Sequence, residues 1–317
     1  MSVARYKVAE HRIEVRFPAS LSSKDIIPSF SPFVCEEEGD VLFDMEVSEG
    51  SAPDFSSWEE IGQFDCGGAN HGVYCLADGS YAFEISLPDC DGGALSCCMT
   101  ARDDFRHCQA VLTGSSRRQH QFGLNNALMM AFAFAAAPLE TLLVHASVIR
   151  HAGYGYLFTA PSGTGKSTHT WLWHKYIEGC DLMNDDNPVV RIVDGETRVY
   201  GSPWSGKTPC YRNIWAPVGA ITRLEQKPEN TIRRMATVEA FAALLPAVSS
   251  MKWDRRVYMS ICSTLSHLLE LTPIFWLGCR PDEEAVRVCF EAVKKPHPLT
   301  PSPKGEGESC GRKKVES

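Results

Sequence analysis

The chain has 317 residues, 44% of them hydrophobic and 22% charged, which suffices for one large or two modest folded domains. Net charge is −8, an acidic balance that argues against a general nucleic-acid-binding surface, so no nucleic-acid partner is expected. The 13 cysteines are odd in number and include no Cys-x-x-Cys pair, so they read as reduced thiols of a cytoplasmic protein and not as a disulfide scaffold or zinc site.

The N-terminus, MSVARYKVAEHRIEVRF, carries charges throughout and has no apolar core of a secretory signal. Within it, HRIEVRF alternates apolar Ile13, Val15 and Phe17 with charged neighbours, the period of a half-buried strand. VLFDMEV, HGVYCLA and YAFEISL are further strand candidates, and Ala-Asp-Gly-Ser at 77–80 predicts a hairpin between the last two. DCDGGAL at 89–95 reads as a loop. A β-rich N-terminal domain over residues 1–115, built as an antiparallel meander, is expected. QFGLNNALMMAFAFAAAP then predicts a buried helix ended by Pro138. Its uninterrupted apolar run, 127–137, is shorter than the ~18 residues that a membrane span needs, so no membrane partner is expected.

TLLVHASVIRHAGYGYLFTA predicts two strands with a turn near 151–155. After the glycine-rich segment that follows, Lys166–Tyr176 predicts a helix. CDLMN, PVVRIV, TRVYGSP and GAITRLE are strand-like, with a turn at Asp194 and Gly195. Residues 237–245, 251–271 and 282–294 predict helices, and IFWLG after Pro273 a short strand. The tail, 297–317, is rich in Pro, Gly, Ser and charge, and reads as disordered.

The segment that carries chemistry is TAPSGTGKST, residues 159–168. It follows a predicted strand and opens a predicted helix, the context of a phosphate-binding loop G-x-x-x-x-G-K-[ST]. In such a loop, backbone N–H groups and a helix N-terminus face the anion. Ser162, Gly163, Thr164, Gly165, Lys166, Ser167 and Thr168 are the expected nucleotide-binding residues. Lys166 supplies a charge for the β- and γ-phosphates, and Ser167 a hydroxyl for Mg²⁺. Ala160 stands where the pattern has its first glycine. At that position a methyl group adds only crowding if φ is negative, and strain if φ is positive. Downstream, CDLMNDDNP places Asp185 and Asp186 at a strand end. One of the two carboxylates can serve a metal and the other can accept a proton from an attacking hydroxyl.

In this order, His145, Ala146 and Ser147, then PSGTGKST at 161–168, then NDD-P at 184–188, then G-PW-GK at 201–207 resemble the HPr kinase/phosphorylase-like family. That family shares a superfamily with ATP-dependent phosphoenolpyruvate carboxykinase. The likeness implies an α/β fold with a P-loop kinase core over residues 116–296, built on a mixed, mostly β sheet with flanking helices. It also implies ATP and Mg as cofactors, with Lys166 and the loop amides on the phosphates and Ser167 and Asp186 on the metal. Asp185 becomes the base toward an acceptor hydroxyl. His145 either touches the phosphoryl group or is a hydrogen-bonded core residue. Lys207 and Arg212 are expected to neutralise the transferring group, and Trp204 to face substrate or brace its loop. The chain departs from the family in Ala160 and in lacking its Glu-containing, glycine-rich segment near 201–207, so neither HPr as substrate nor the reverse reaction is expected. The reading is a kinase acting on a protein, peptide or small-molecule hydroxyl, with assembly into a homo-oligomer left open. A carboxykinase-like decarboxylating enzyme and a non-catalytic nucleotide-binding module in peptide maturation remain alternatives.

Overall fold

The computed structural model describes residues 1–65, 70–88, 94–102, 104–206 and 208–294. Residues 89–93, Lys207 and the tail 297–317 lie outside the described residues, with the expectations that fall on them. The fold is mixed α/β, dominated by strands in two sheets.

The first sheet contains β1 (Ser2–Val8), β2 (His11–Phe17), β3 (Phe43–Glu49), β4 (Glu59–Asp65), β5 (Asn70–Cys75), β6 (Tyr81–Leu87), β7 (Ala94–Arg102) and β8 (His107–Leu112). Spatial order is β1-β2-β3-β8-β7-β6-β5-β4. From β4 to β8 the strands form the expected antiparallel meander, but β3 lies between β2 and β8 and runs parallel to both. A parallel neighbour needs a long crossover. The connection after β2 supplies it, with the short helix α1 (Ser23–Ile26) and a 3₁₀ turn (Pro28–Phe33) that bury Ile26, Phe30 and Phe33.

Helix α2 (Arg117–Ala136) begins at a capping box, in which the Ser116 hydroxyl accepts from the Gln119 amide and the Gln119 side chain from the Ser116 amide. It is apolar on most sides and long enough to cross a membrane, yet most of it is buried inside the protein. One side packs on β6, β7 and β8, and it also meets β9 (Thr141–Leu143) of the second sheet. A helix apolar all round has this place between layers.

The second sheet adds β10 (Ala146–His151), β11 (Tyr154–Thr159), β12 (Asp181–Asp186), β13 (Val189–Val193), β14 (Glu196–Tyr200), β15 (Trp215–Gln226), β16 (Thr231–Arg234) and β17 (Ile274–Cys279). Its order is β12-β10-β11-β15-β14-β13-β9, with β17 also beside β15 and β16 outside β17. The pairs β11/β15 and β15/β17 are parallel and the others antiparallel. Strand β15 holds the two halves together: its first residues pair with β14 and its later ones with β11 and β17. Helices α3 (Lys166–Tyr176), α4 (Thr237–Leu244), α5 (Arg255–Leu271) and α6 (Glu283–Val293) complete the chain. Asp254 and Asp282 cap α5 and α6 with their carboxylates.

One continuous core joins the first sheet, α2, β9, β13, β14 and α5. A second, smaller cluster lies around α3, β11 and α6, with Tyr156, Phe158, Trp173 and Cys289 at its centre.

Candidate functional site

Strand β11 ends at Thr159, the segment 160–165 turns, and α3 starts at Lys166. Gly163 and Gly165 have φ of 79° and 113°, a region that L side chains rarely adopt, so both glycines are required by backbone conformation. A Cβ at Gly163 would meet nothing within 4 Å, so there the constraint is φ alone. Ala160 is not among the positive-φ residues. It is 3% exposed and belongs to the smaller core cluster, so its methyl group is a packing contact and not a strained substitute for glycine.

Helix α3 has no side-chain N-cap. The first amides of a helix have no intrahelical partner, so this end presents N–H groups to whatever lies in the turn. Ser162, Gly163 and Thr164 line the open space beside it. Ser167 and Thr168 are exposed at the start of the helix. Lys166 is 8% exposed and its Nζ donates to the Ala160 carbonyl at 3.2 Å. Burial lowers its pKa, while Asp186 and Asp185 oppose that shift.

The aspartates reach the loop through sheet order. Strand β10 pairs with both β11 and β12, with Ala146 opposite Asp186 and Ser147 opposite Asp185. The two carboxylates differ in setting. Asp185 is 4% exposed and accepts a 2.8 Å hydrogen bond from the Ser167 hydroxyl. Asp186 is more open. Its Oδ1 is 3.2 Å from His145 Nε2, and its Oδ2 accepts from Asn187 Nδ2 at 2.9 Å. Asp186 has φ of 136°, so its backbone is strained. His145 precedes β10 in place of lying within it, and its amide donates to the Ala247 carbonyl at 2.7 Å. The half-exposed ring pairs with Asp186, which sets aside the reading of His145 as a core residue.

The segment from Gly201 wraps the end of β12. Buried Asn184 donates to Ser202 Oγ at 3.1 Å and to the Trp204 carbonyl at 3.2 Å. Gly206 N–H donates to the Asp185 carbonyl. A Cβ on Gly201 would approach the Arg212 carbonyl oxygen to 2.0 Å, so only glycine fits there. Trp204 is 1% exposed, edge-on to Phe30 and tilted against Phe132 of α2. It braces its loop and does not face substrate. Arg212 is corrected too: its guanidinium is bound to Asp181, which also holds Arg150, and these two arginines overcome burial to lower the Asp181 pKa. It is thus occupied away from the loop lysine.

Sequence reading missed the other flank of the loop. Next to β11, on β15, Arg223 lies opposite Thr159, and its charge also acts to lower the Lys166 pKa. Gln226, farther along β15, donates to the Thr164 carbonyl at 3.1 Å. The signal was available only as an unassigned cation in GAITRLE, because strand adjacency is not written in local periodicity. Beneath the loop, buried His169 accepts from Trp173 Nε1 at 3.1 Å, and burial lowers its pKa to about 4. Thr170 Oγ1 lies 2.8 Å from Ser147 Oγ, tying α3 to β10.

No family model matches the chain, and no curated protein matches it. Among solved structures, the Hpr(Ser) kinase/phosphatase from Coxiella burnetii is similar at 11% identity, over 47% of this chain and 95% of that one, with a TM-score of 0.30. That score is too low to indicate a shared fold, so the functional reading rests on the residues described above.

Proposed function

We propose that this chain is an ATP- and Mg²⁺-dependent kinase that transfers a γ-phosphoryl group to a hydroxyl of a protein, peptide or small-molecule acceptor. One observation carries the reading. The Ser167–Asp185 hydrogen bond joins the start of the glycine loop's helix to a strand end whose second carboxylate, Asp186, is open and paired with His145. Loop amides, Lys166, a hydroxyl–carboxylate pair and an accessible carboxylate are the parts that phosphoryl transfer needs.

The Ser167 hydroxyl and Asp185 fit Mg²⁺, which takes one or two protein oxygens together with phosphate oxygens and water. Among the described residues no group of three or more His, Cys, Asp or Glu side chains is placed to hold a metal alone, so the nucleotide would supply the other ligands. When bound, the ion would offset charge on the phosphoryl oxygens. This allocation exchanges the roles that the family resemblance gives the two aspartates. The buried carboxylate already bonded to Ser167 serves the metal, and the open one serves as base.

The chemistry then follows from the chain's own residues. The loop amides and Lys166 hold the β- and γ-phosphates. The acceptor oxygen attacks the γ-phosphorus in line, the bond to the bridging oxygen breaks, and ADP leaves with that electron pair. Asp186 accepts the hydroxyl proton, with His145 and Asn187 orienting its carboxylate.

The test is incubation with γ-labelled ATP and cell extract. Asp186→Asn should bind MgATP like the wild type and label no acceptor. Full labelling by Asp186→Asn contradicts the base assignment, and absence of labelling by wild type contradicts the kinase reading.

A further inference from the structure

The aspartates occupy one side of the loop. On the other side, a cavity of about 900 Å³ opens directly against Pro161, Ser162, Gly163 and Thr164. Sheet order explains its place. From β11, the aspartates lie two strands away through β10, whereas the cavity is floored by β15 and walled by Trp276 on β17, one and two strands away in the opposite direction.

Its lining is distinctive. Trp276 Nε1 donates to Glu225 at 2.8 Å, which fixes the indole. A Cβ on Gly278 would come within 2.6 Å of that ring, so the glycine lets the indole lie along β17. Across the strand pair, the Arg233 guanidinium lies 5.3 Å from the indole centroid and is itself held by two hydrogen bonds to Glu239. Arg223 faces the same space and makes no hydrogen bond or ion pair with the described residues. Gln226 joins this wall to the loop through the Thr164 carbonyl.

A triphosphate on the loop has a direction. Its terminal phosphoryl group must face Ser167 and the Asp186–His145 pair, because the acceptor is activated there. The opposite end therefore leaves toward β15. We propose that this cavity is a nucleoside-binding subsite, in which a purine lies against the Trp276–Arg233 wall and Arg223 meets the phosphate nearest the ribose. The inference rests on the kinase reading above and adds the location of the base. An aromatic face with an adjacent guanidinium suits a purine, since stacking and cation–π contacts both act on a π surface. The acceptor does not compete for this space, because it must enter from the aspartate side.

Calorimetric titration in Mg²⁺ with ATP and with inorganic tripolyphosphate separates the two claims. Wild type should bind ATP at least tenfold more tightly than tripolyphosphate. Trp276→Ala should weaken ATP binding about tenfold or more, on the scale of base–aromatic stacking, and leave tripolyphosphate unchanged. Ala242→Trp, at an exposed cavity-lining position of α4, should do the same by filling the space and guards against misfolding of the first variant. If both variants bind ATP as wild type does, the subsite is overturned while the phosphate loop stands. If wild type binds neither ligand, the phosphate-loop reading fails and this inference with it.

Discussion

Restoring the missing loop glycine, Ala160→Gly, should destabilise the protein without improving its grip on phosphate. Ala160 is 3% exposed, packed in the core cluster around α3, and not at positive φ. Removing its methyl group forfeits about 0.8 kcal/mol of apolar burial. The added freedom of the unfolded backbone costs a further ~0.4–1 kcal/mol. Together these give about 1.5 kcal/mol, and for a chain of this size a thermal midpoint lower by roughly 2 °C. Thermal unfolding followed by circular dichroism reads the first effect. Titration with tripolyphosphate in Mg²⁺ reads the second, where affinity should stay within about twofold of wild type. A variant that binds tripolyphosphate tenfold more tightly at undiminished stability would refute the reasoning, because it would mean that the alanine strains the loop.

Two further outcomes follow from buried groups. His169 and His11 have folded pKa values of about 4 and about 3, both lowered mainly by burial, against an ordinary value of 6.5. The unfolded chain therefore takes up protons first as pH falls, so their stabilisation is complete above about pH 6.5 and is lost below it. From pH 7.5 to 5.5 each should cost about 1.4 kcal/mol, and urea unfolding of His169→Gln should show that much less loss than wild type. Trp204→Ala should cost ~3–5 kcal/mol in urea unfolding, because it empties a fully buried site against Phe30 and Phe132. The same change should weaken phosphoryl transfer, since the Trp204 carbonyl holds Asn184 beside the two aspartates.

What the sequence disclosed is what local pattern encodes. The helix at Lys166–Tyr176 and the strand YAFEISL match their expected limits, because a capping glycine, turn residues and apolar period all act within a few positions. Strands β4 and β16 were not legible, since both are edge strands with little apolar alternation. Strand β7 was hidden for the opposite reason: under α2 its residues Ser96, Cys97, Cys98 and Met99 are buried consecutively, and the period of two disappears. The parallel insertion of β3 and the adjacency of Arg223 to the loop depend on pairings between distant segments, about which periodicity is silent. At the site, Lys166, Ser167, Asp185, Asp186 and His145 were named from spacing and resemblance, and the structure draws all five together. It distinguishes the two aspartates through burial and hydrogen bonding, which adjacent identical letters cannot do. The same holds for Trp204 and Arg212, whose partners are residues far away in the chain.

The most direct measurement is calorimetric titration of MgATP and tripolyphosphate into wild type and Lys166→Met. The lysine is nearly buried between the Ala160 carbonyl and the charges of the two aspartates, so methionine preserves its volume and removes only the cation. The account predicts saturable binding of both ligands to wild type and a loss of about a hundredfold or more in the variant, as expected for a charge-assisted phosphate contact. Equal binding by the two proteins, or none by wild type, would contradict it.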